Sequence, residues 1–368
     1  MEEHLVKINK WLYPISFLYG MGVGLRNKLF DWGILQSKSF GIPIICIGNI
    51  AVGGTGKTPH TEYLINLLKD KYHVAVLSRG YKRRTKGYVL SDPKSNARSI
   101  GDEPYQIKKK FPHITVAVDE KRVRGIENLC KLNKPKIELI LLDDAFQHRY
   151  VEAGLNIILT DYHRLFCDDA LLPAGRLREP EKAKNRAQIV IVTKCPTDIK
   201  PIDYNIIAKR LGLFPYQKLF FSSFQYGNLI PVFPEANITE RKLSSIKRNE
   251  HVLLLTGIAS PAIMKEEIGK YTRHVELLSF GDHYNFKNKD IKMITEQFNK
   301  LQGEKIIITT EKDATRLVSH PAISKELKKH IYALPIEIKI LQNQQDTFNK
   351  TITDYVRTDK RNGIVSEK

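Results

Sequence analysis

Cysteine is scarce in this chain, with four among 368 residues, and Cys46, Cys130, Cys167 and Cys195 lie far apart. No C-x-x-C pair and no zinc-ribbon spacing occurs, which argues against a structural zinc cage. Nothing resembles a disulfide framework, so a reducing cytosol is the simplest setting. A membrane-spanning run is missing as well. The apolar N-terminal stretch between Lys10 and Arg26 has fifteen residues, including Pro14 and three glycines, whereas a spanning helix needs roughly 20. A signal peptide is not expected, because Met1-Glu2-Glu3 lacks a basic start and Leu25-Arg26-Asn27-Lys28 offers no small-residue cleavage site. Glycine (22) and proline (17) are too few for a collagen-like chain, and 42% apolar residues exclude disorder. Acidic residues are in deficit, 40 against 59 Lys plus Arg, for a net charge of +19. That excess favours nucleic acid, an anionic membrane surface or phosphorylated substrates without choosing among them.

The N-terminal stretch carries Trp11, Tyr13, Phe17, Leu18, Tyr19, Leu25 and Phe30, flanked by Lys7, Lys10, Arg26 and Lys28. Composition alone favours a core helix, since aromatic stripes are usually core, but the basic flanks also suit a helix lying in a membrane interface. From Gly41 onward, short β-branched runs at 43–47, 73–77, 114–118, 138–142, 156–160 and 188–193 alternate with amphipathic stretches such as 61–71 and 104–110. They predict strands buried on both faces of a parallel sheet with helical crossovers. A second series at 252–257, 274–280, 305–310 and 331–336 follows a turn-rich region, and the polar tail from Gln342 reads as a helix that frays. The expectation is two α/β lobes with a cleft between them.

The strongest local signal runs from Cys46 to Thr58, where a buried strand enters Gly53-Gly54-Thr55-Gly56-Lys57-Thr58 and then a helix. Such a loop lets backbone N–H groups wrap phosphate oxygens at a helix N-terminus. Lys57 is expected on the β/γ-phosphates and the Thr58 hydroxyl on Mg²⁺. Ala51 stands where the G-x-x-x-x-G-K-[ST] pattern asks for glycine. An apolar strand ending in Asp143-Asp144 supplies carboxylates for the metal. A nucleotide triphosphate with Mg²⁺ is therefore expected. A GTPase would need a base-reading N-K-x-D, and Thr193-Lys194-Cys195-Pro196-Thr197-Asp198 has Thr for Asn and one residue too many.

The clusters Ser78-Arg79-Gly80-Tyr81, Gly101-Asp102-Glu103-Pro104, Asp143-Asp144-Ala145-Phe146-Gln147-His148-Arg149, Leu172 to Pro180, Gly281-Asp282-His283-Tyr284 and Thr310-Glu311-Lys312-Asp313-Ala314 fall at expected strand ends. Together with the phosphate loop, this set resembles the tetraacyldisaccharide 4′-kinases, the lipid A kinases of Gram-negative bacteria. The resemblance implies two P-loop-NTPase-like lobes with mainly parallel sheets flanked by helices, plus an N-terminal interfacial helix. It implies transfer of the ATP γ-phosphoryl group to the 4′-hydroxyl of a tetraacyldisaccharide 1-phosphate, a lipid A precursor. The setting it implies is the cytoplasmic face of the inner membrane, with an anionic membrane surface as partner, no nucleic acid and no obligate protein partner.

On this basis the chain divides into an N-terminal membrane-interface segment (1–36), a P-loop kinase core (37–225), a linker region (226–250), a second α/β lobe (251–345) and a C-terminal helix or tail (346–368). By resemblance, Asp102 is the base that takes the acceptor proton, supported by His283 from the other lobe. Read alone, Asp102 is a helix N-cap and His283 a surface turn residue. Asp143, Asp144 and, by the family match, Glu179 are metal candidates. Arg79, Arg178 and, less directly, Arg122 would neutralise phosphate charge, and His148 is expected beside the metal or γ-phosphate. The Thr310–Ala314 cluster receives no catalytic role. The competing readings are a P-loop GTPase or metal-insertion NTPase, which shares the loop but not the G-D-E-P and G-D-H-Y clusters, and a nucleic-acid-binding ATPase. The last rests on residues 79–125, with 13 Lys/Arg against 5 Asp/Glu, but no nucleic-acid module is recognisable there.

Overall fold

The computed structural model describes residues 8–258, 261–281, 284–318 and 320–366, with side chains through 359. The chain divides into two compact units, residues 1–224 with 338–368, and residues 225–337.

The first unit is built on a nine-stranded sheet. In chain order its strands are β1 (Ile44–Asn49), β2 (Val74–Ser78), β3 (Val89–Leu90), β4 (Thr115–Val118), β5 (Leu139–Asp143), β6 (Leu155–Asp161), β7 (Ile189–Thr193) and β8 (Lys218–Tyr226). After β9 (Ile230–Pro231), β10 (His251–Thr256), β11 (Val275–Ser279), β12 (Lys305–Thr310) and β13 (Ile331–Leu334) in the second unit, β14 (Ile336–Ile340) returns to it. The spatial order is β14-β8-β7-β6-β1-β5-β2-β4-β3. β1 pairs in parallel with both β5 and β6, β2 with β4 and β5, and β7 with β6 and β8, while β3 runs antiparallel to β4. β1, β2, β5 and β7 are buried at every position, as strands covered on both faces must be. One face packs Ile44, Leu77, Ile126, Ile140 and Val192, and the other Ile45, Ile65, Val76, Leu141 and Ile191. In an open α/β sheet, ligands bind beyond the carboxyl ends of the strands. Here those ends are Asn49, Ser78, Asp143, Asp161 and Thr193.

The second unit carries a five-stranded sheet ordered β11-β10-β12-β13-β9, parallel except for the β13–β9 pair. The stretch 226–250, expected as a linker, belongs to this unit. Leu229, Val232, Phe233, Leu243 and Ile246 are buried in its cores, so the turn signals there mark tight turns around a packed segment. Pro335 splits the expected strand 331–336: β13 stays in the five-stranded sheet and β14 joins the nine-stranded one. The unit therefore ends at Glu337 and not near 345. The C-terminal helix runs from Gln345 to Ser366 without an early fray. Phe348, Ile352 and Val356, four residues apart, bury one stripe against the first unit's sheet, each contributing about 1.5–3 kcal/mol.

The N-terminal stretch forms a 3-10 turn, Lys10–Leu12, and then one helix, Tyr13–Asp31, with Pro14 harmlessly in its first turn. The core reading of this helix fails, because only Ser16 and Phe30 of its residues are buried. Trp11 is 93% exposed, Phe17 68%, Leu18 66%, and Met21 and Leu25 each 57%. The opposite side docks by hydrogen bonds. Ser16 Oγ donates to the Leu171 carbonyl at 3.0 Å and accepts from the Ala174 N–H at 2.9 Å, Tyr19 donates to the Arg178 carbonyl at 2.9 Å, and Arg26 donates to the Gln147 carbonyl at 3.0 Å. Arg149 returns a bond to the Asn27 carbonyl and an ion pair to Asp31. Among the described residues no helix is long and apolar enough to cross a membrane.

Candidate active site

The glycine-rich loop leaves β1 at Asn49 and enters the helix Lys57–Leu68. Its first half pairs with the segment 176–178: Ala51 bridges Leu177 in antiparallel fashion, Val52 N–H donates to the Arg176 carbonyl, and Arg178 N–H donates to the Ile50 carbonyl, both at 2.7 Å. Bridged backbone of this kind is open to any residue, which is why alanine serves where the pattern asks for glycine. The conformationally demanding positions come later, at Gly53 (φ +124°) and Gly56 (φ +84°), in the region that favours glycine. Gly54 beside them is exposed and Thr55 is buried. Behind the loop, a Cβ on Gly48 would lie 2.6 Å from Phe146 Cβ, and Gln147 Nε2 donates to the Asn49 carbonyl at 2.5 Å. The D-D-A-F-Q segment thus packs directly on the strand that feeds the loop.

Register sets Asp143 level with Ile47 on the neighbouring β1. Asp143 is buried, and its Oδ2 has no hydrogen-bond partner; the same holds for Oδ1 of Asp144. Lys57 Nζ stands 3.6 Å from Asp144 Oδ1, and Arg178 3.5 Å from Asp144 Oδ2. Burial, with Glu103 and Asp144 nearby, pushes the Asp143 carboxyl up to about 7. Burial would also raise Asp144, but Lys57 and Arg178 outweigh it and hold that carboxyl below the usual range. Orphaned, desolvated carboxylate oxygens beside Lys57 and Thr58 fit a hard, oxygen-seeking cation such as Mg²⁺. Among the described residues no three His, Cys, Asp or Glu side chains gather into a metal cage. One or two carboxylates suffice for Mg²⁺ when phosphates and water complete the octahedron.

The raised Asp143 carboxyl has a consequence for stability. Between about pH 4 and 7 the folded chain holds this proton more tightly than the unfolded chain does, so stability falls as pH rises through that window. Asp143→Asn is therefore expected to raise the Tm of the metal-free protein at pH 8, and to raise it less at pH 5. Thermal unfolding at the two pH values checks this; a lower Tm at pH 8 would contradict a destabilising carboxylate.

Gly101 (φ +94°) takes the cap position of the helix Asp102–Lys110, and Asp102 and Glu103 occupy its first turn. Asp102 is therefore not the N-cap, and no side-chain cap bond forms there. A Cβ on Gly101 would meet Gly80 Cα at 3.1 Å and the Tyr81 carbonyl at 3.2 Å, so the S-R-G-Y and G-D-E-P loops touch backbone to backbone. Glu103 acts electrostatically on Asp143, placing this helix start beside the carboxylate pair. Arg79 is exposed, whereas Arg122 is buried and donates to the Asp119 carbonyl at 2.8 Å. Burial, then Arg122, Arg26 and Arg79, push His148 down to about 4. It is a neutral imidazole among three guanidinium groups.

Glu179 is buried and ion-paired with Arg186, and burial raises its carboxyl despite Arg186, Arg26 and Arg149. Arg186 in turn lies 4.2 Å from the Phe146 ring centre and donates to the Phe146 carbonyl at 3.0 Å. Glu179 thus ties the 172–180 segment to the D-D-A-F segment through Arg186, while its other oxygen, Oε1, is buried without a hydrogen-bond partner, as are Asp143 Oδ2 and Asp144 Oδ1. Arg149 closes the Asp143–Arg149 cluster but received no role from the sequence, and Arg186 was not singled out, because nothing in its spacing marks it among so many basic residues.

In the second unit, Asp313 is fully buried and accepts from Gly257 N–H at 2.8 Å, Thr310 Oγ1 at 2.7 Å and Arg316 at 3.1 Å. A Cβ on Gly257 would meet Asp313 Oδ1 at 2.9 Å and the Gly281 carbonyl at 3.3 Å. The Thr310–Ala314 cluster thus braces the ends of β10 and β12. Asp282 and His283, which follow Gly281, lie outside the described residues.

Over residues 8–357 the chain matches the family model described as tetraacyldisaccharide-1-P 4′-kinase. It is 68% identical over 370 residues to the tetraacyldisaccharide 4′-kinase of Bacteroides fragilis, and 66% identical over 375 residues to that of Bacteroides thetaiotaomicron. Each alignment covers all of this chain and 98% of the relative. Among solved structures, LpxK from Aquifex aeolicus in complex with ATP is similar with a TM-score of 0.70 at 29% identity, covering 95% of this chain and 99% of that one. These likenesses run the length of the chain and set aside the GTPase, metal-insertion and nucleic-acid readings. The chain belongs to the tetraacyldisaccharide-1-P 4′-kinase family.

Proposed function

We propose that this chain transfers the γ-phosphoryl group of ATP to the 4′-hydroxyl of an acylated glucosamine disaccharide 1-phosphate, working at the anionic cytoplasmic surface of the inner membrane. One observation carries the reading: the loops around the phosphate site are the loops that dock a helix whose outward face is apolar. Tyr19 bonds the Arg178 carbonyl and Arg26 the Gln147 carbonyl, and both partners flank the carboxylate pair in space or sequence. A kinase for a soluble sugar has no use for such a helix beside its site. Its family's named activity, on a lipid, does.

Phosphoryl transfer is mostly positioning and charge neutralisation. Loop N–H groups and Lys57 bind the phosphates, while Arg79, Arg178 and the buried Arg122 offset their charge. Thr58, Asp143 and Asp144 would hold Mg²⁺, which when bound neutralises phosphate oxygens. Asp102, in the first turn of its helix, accepts the acceptor hydroxyl proton. His283 is read as the partner that orients it. The basic stretch 79–125 around Asp102 suits an anionic headgroup.

Two measurements test this. ADP release from ATP should depend on added disaccharide 1-phosphate in detergent; acceptor-independent turnover at the same rate would oppose a kinase. The triple substitution Phe17→Ser, Leu18→Ser and Met21→Ser should weaken vesicle binding at least about a hundredfold, since burying each side chain is worth about 1.5–3 kcal/mol. Tm should not change, because these side chains are exposed. Unaltered co-sedimentation with anionic vesicles would sink the anchor reading.

A further inference from the structure

We propose that His60 and Thr193 clamp the phosphate loop by its carbonyl oxygens, and so act as positioning residues that set the affinity for the triphosphate. The inference rests on the reading of residues 53–58 as the phosphate site. A loop that turns its N–H groups toward phosphate must turn the carbonyls of the same peptide planes away, and buried carbonyls need donors. Two are supplied from outside the loop. Thr193 Oγ1, at the fully buried end of β7, donates to the Thr55 carbonyl at 2.9 Å, with the Thr160 carbonyl farther off at 3.2 Å. His60 Nδ1 lies 2.7 Å from the Gly56 carbonyl, closer than the helical bond from its own N–H at 3.3 Å.

The tautomer follows from the partners. A carbonyl can only accept, so Nδ1 carries the hydrogen, and Nε2 accepts from Ser222 Oγ on β8 at 2.9 Å. The ring is buried, with one partner at each nitrogen, so its single N–H is committed to the loop. Asn49 Nδ2 adds a bond to Thr55 Oγ1 at 2.8 Å. β1 and β7 therefore each send one side chain to the same turn, and β8 reaches it through Ser222 and the His60 ring. The turn has little slack, since a Cβ on Gly56 would meet Phe224 Cζ at 3.2 Å. Thr193 opens the segment that resembles a base-reading motif. Here its hydroxyl serves the loop, and Lys194 pairs with Asp161 at 2.6 Å.

Isosteric variants separate a clamp from mere packing. Asparagine keeps a donor where Nδ1 stands, whereas glutamine places its amide nearer Nε2; serine keeps the Thr193 hydroxyl, and valine keeps only the shape. His60→Asn and Thr193→Ser should bind ATP within about threefold of the wild type. His60→Gln and Thr193→Val should weaken Kd for ATP, and raise its KM, about tenfold, the loss of one hydrogen bond at about 1.4 kcal/mol. The KM for the lipid acceptor should stay unchanged in all four. Equal ATP affinity for His60→Gln, Thr193→Val and the wild type overturns the clamp. Equal losses across all four variants, tracking a fall in Tm, overturn it too. Lys57→Ala serves as the reference: if it binds ATP normally, the phosphate-site reading falls and takes the clamp with it. If Lys57→Ala binds weakly while His60→Gln and Thr193→Val bind normally, only the clamp falls.

Discussion

Lys57→Ala is expected to lower kcat by on the order of a thousandfold, the scale of losing one preorganised charge-stabilising group. Lys57 is the first residue of the helix Lys57–Leu68 and its side chain is mostly buried, at 12% exposure. Its ammonium is the largest charge lowering the Asp144 carboxyl and also lowers that of Asp143. Removing it takes a positive charge from the transferring phosphoryl group and leaves two carboxylates less compensated. Both effects oppose a trianionic phosphate entering the site. Lys57→Arg is not expected to rescue, because a planar fork cannot stand in for a compact ammonium. Steady-state kcat with saturating acceptor checks this; retention of activity within tenfold would contradict a phosphate-contacting role.

Asp102→Asn should lower kcat by roughly 10²–10⁴-fold, the usual range for a general base, while the KM for ATP stays near the wild-type value. The asparagine keeps the shape and the place in the first helical turn but cannot take a proton. A structural role for Asp102 would move Tm and the KM for ATP together with kcat. The proposed role moves kcat alone and flattens the acidic limb of its pH profile. His283→Ala should share that pattern, with a smaller loss if the imidazole only orients the carboxylate. Near-normal turnover in either variant would remove it from the mechanism.

The phosphate loop, the D-D strand end and ten of the strands were legible because each is written locally: apolar runs, glycines at a turn, a polar cluster after a strand. The short β3 and β9, and β8 and β14 at one side of the large sheet, were not. Lys218–Tyr226 mixes exposed and buried positions along one strand, and Ile336–Ile340 follows Pro335 so closely that it read as the end of β13. Site details escaped for the same non-local reason. Ala51 takes the place of glycine because Leu177, 126 residues later, pairs with it. The ion pair of Glu179 with Arg186 is likewise invisible in the sequence. The N-terminal helix has the composition of a core element, and only its docking bonds to Leu171, Ala174, Arg178 and Gln147 decide which face looks outward.

These pieces describe one device, a phosphate loop braced from β1, β7 and β8 and tied to a helix with an apolar outer face. The most direct test of the account is the position of the new phosphate. The protein is incubated with γ-labelled ATP, Mg²⁺ and tetraacyldisaccharide 1-phosphate in detergent, and the product is mapped by mass spectrometry and phosphorus NMR. The account expects label on the lipid, at the 4′-oxygen of the distal glucosamine, and none on the lipid with Lys57→Ala. Label released only as inorganic phosphate, or attached at another hydroxyl, would contradict it.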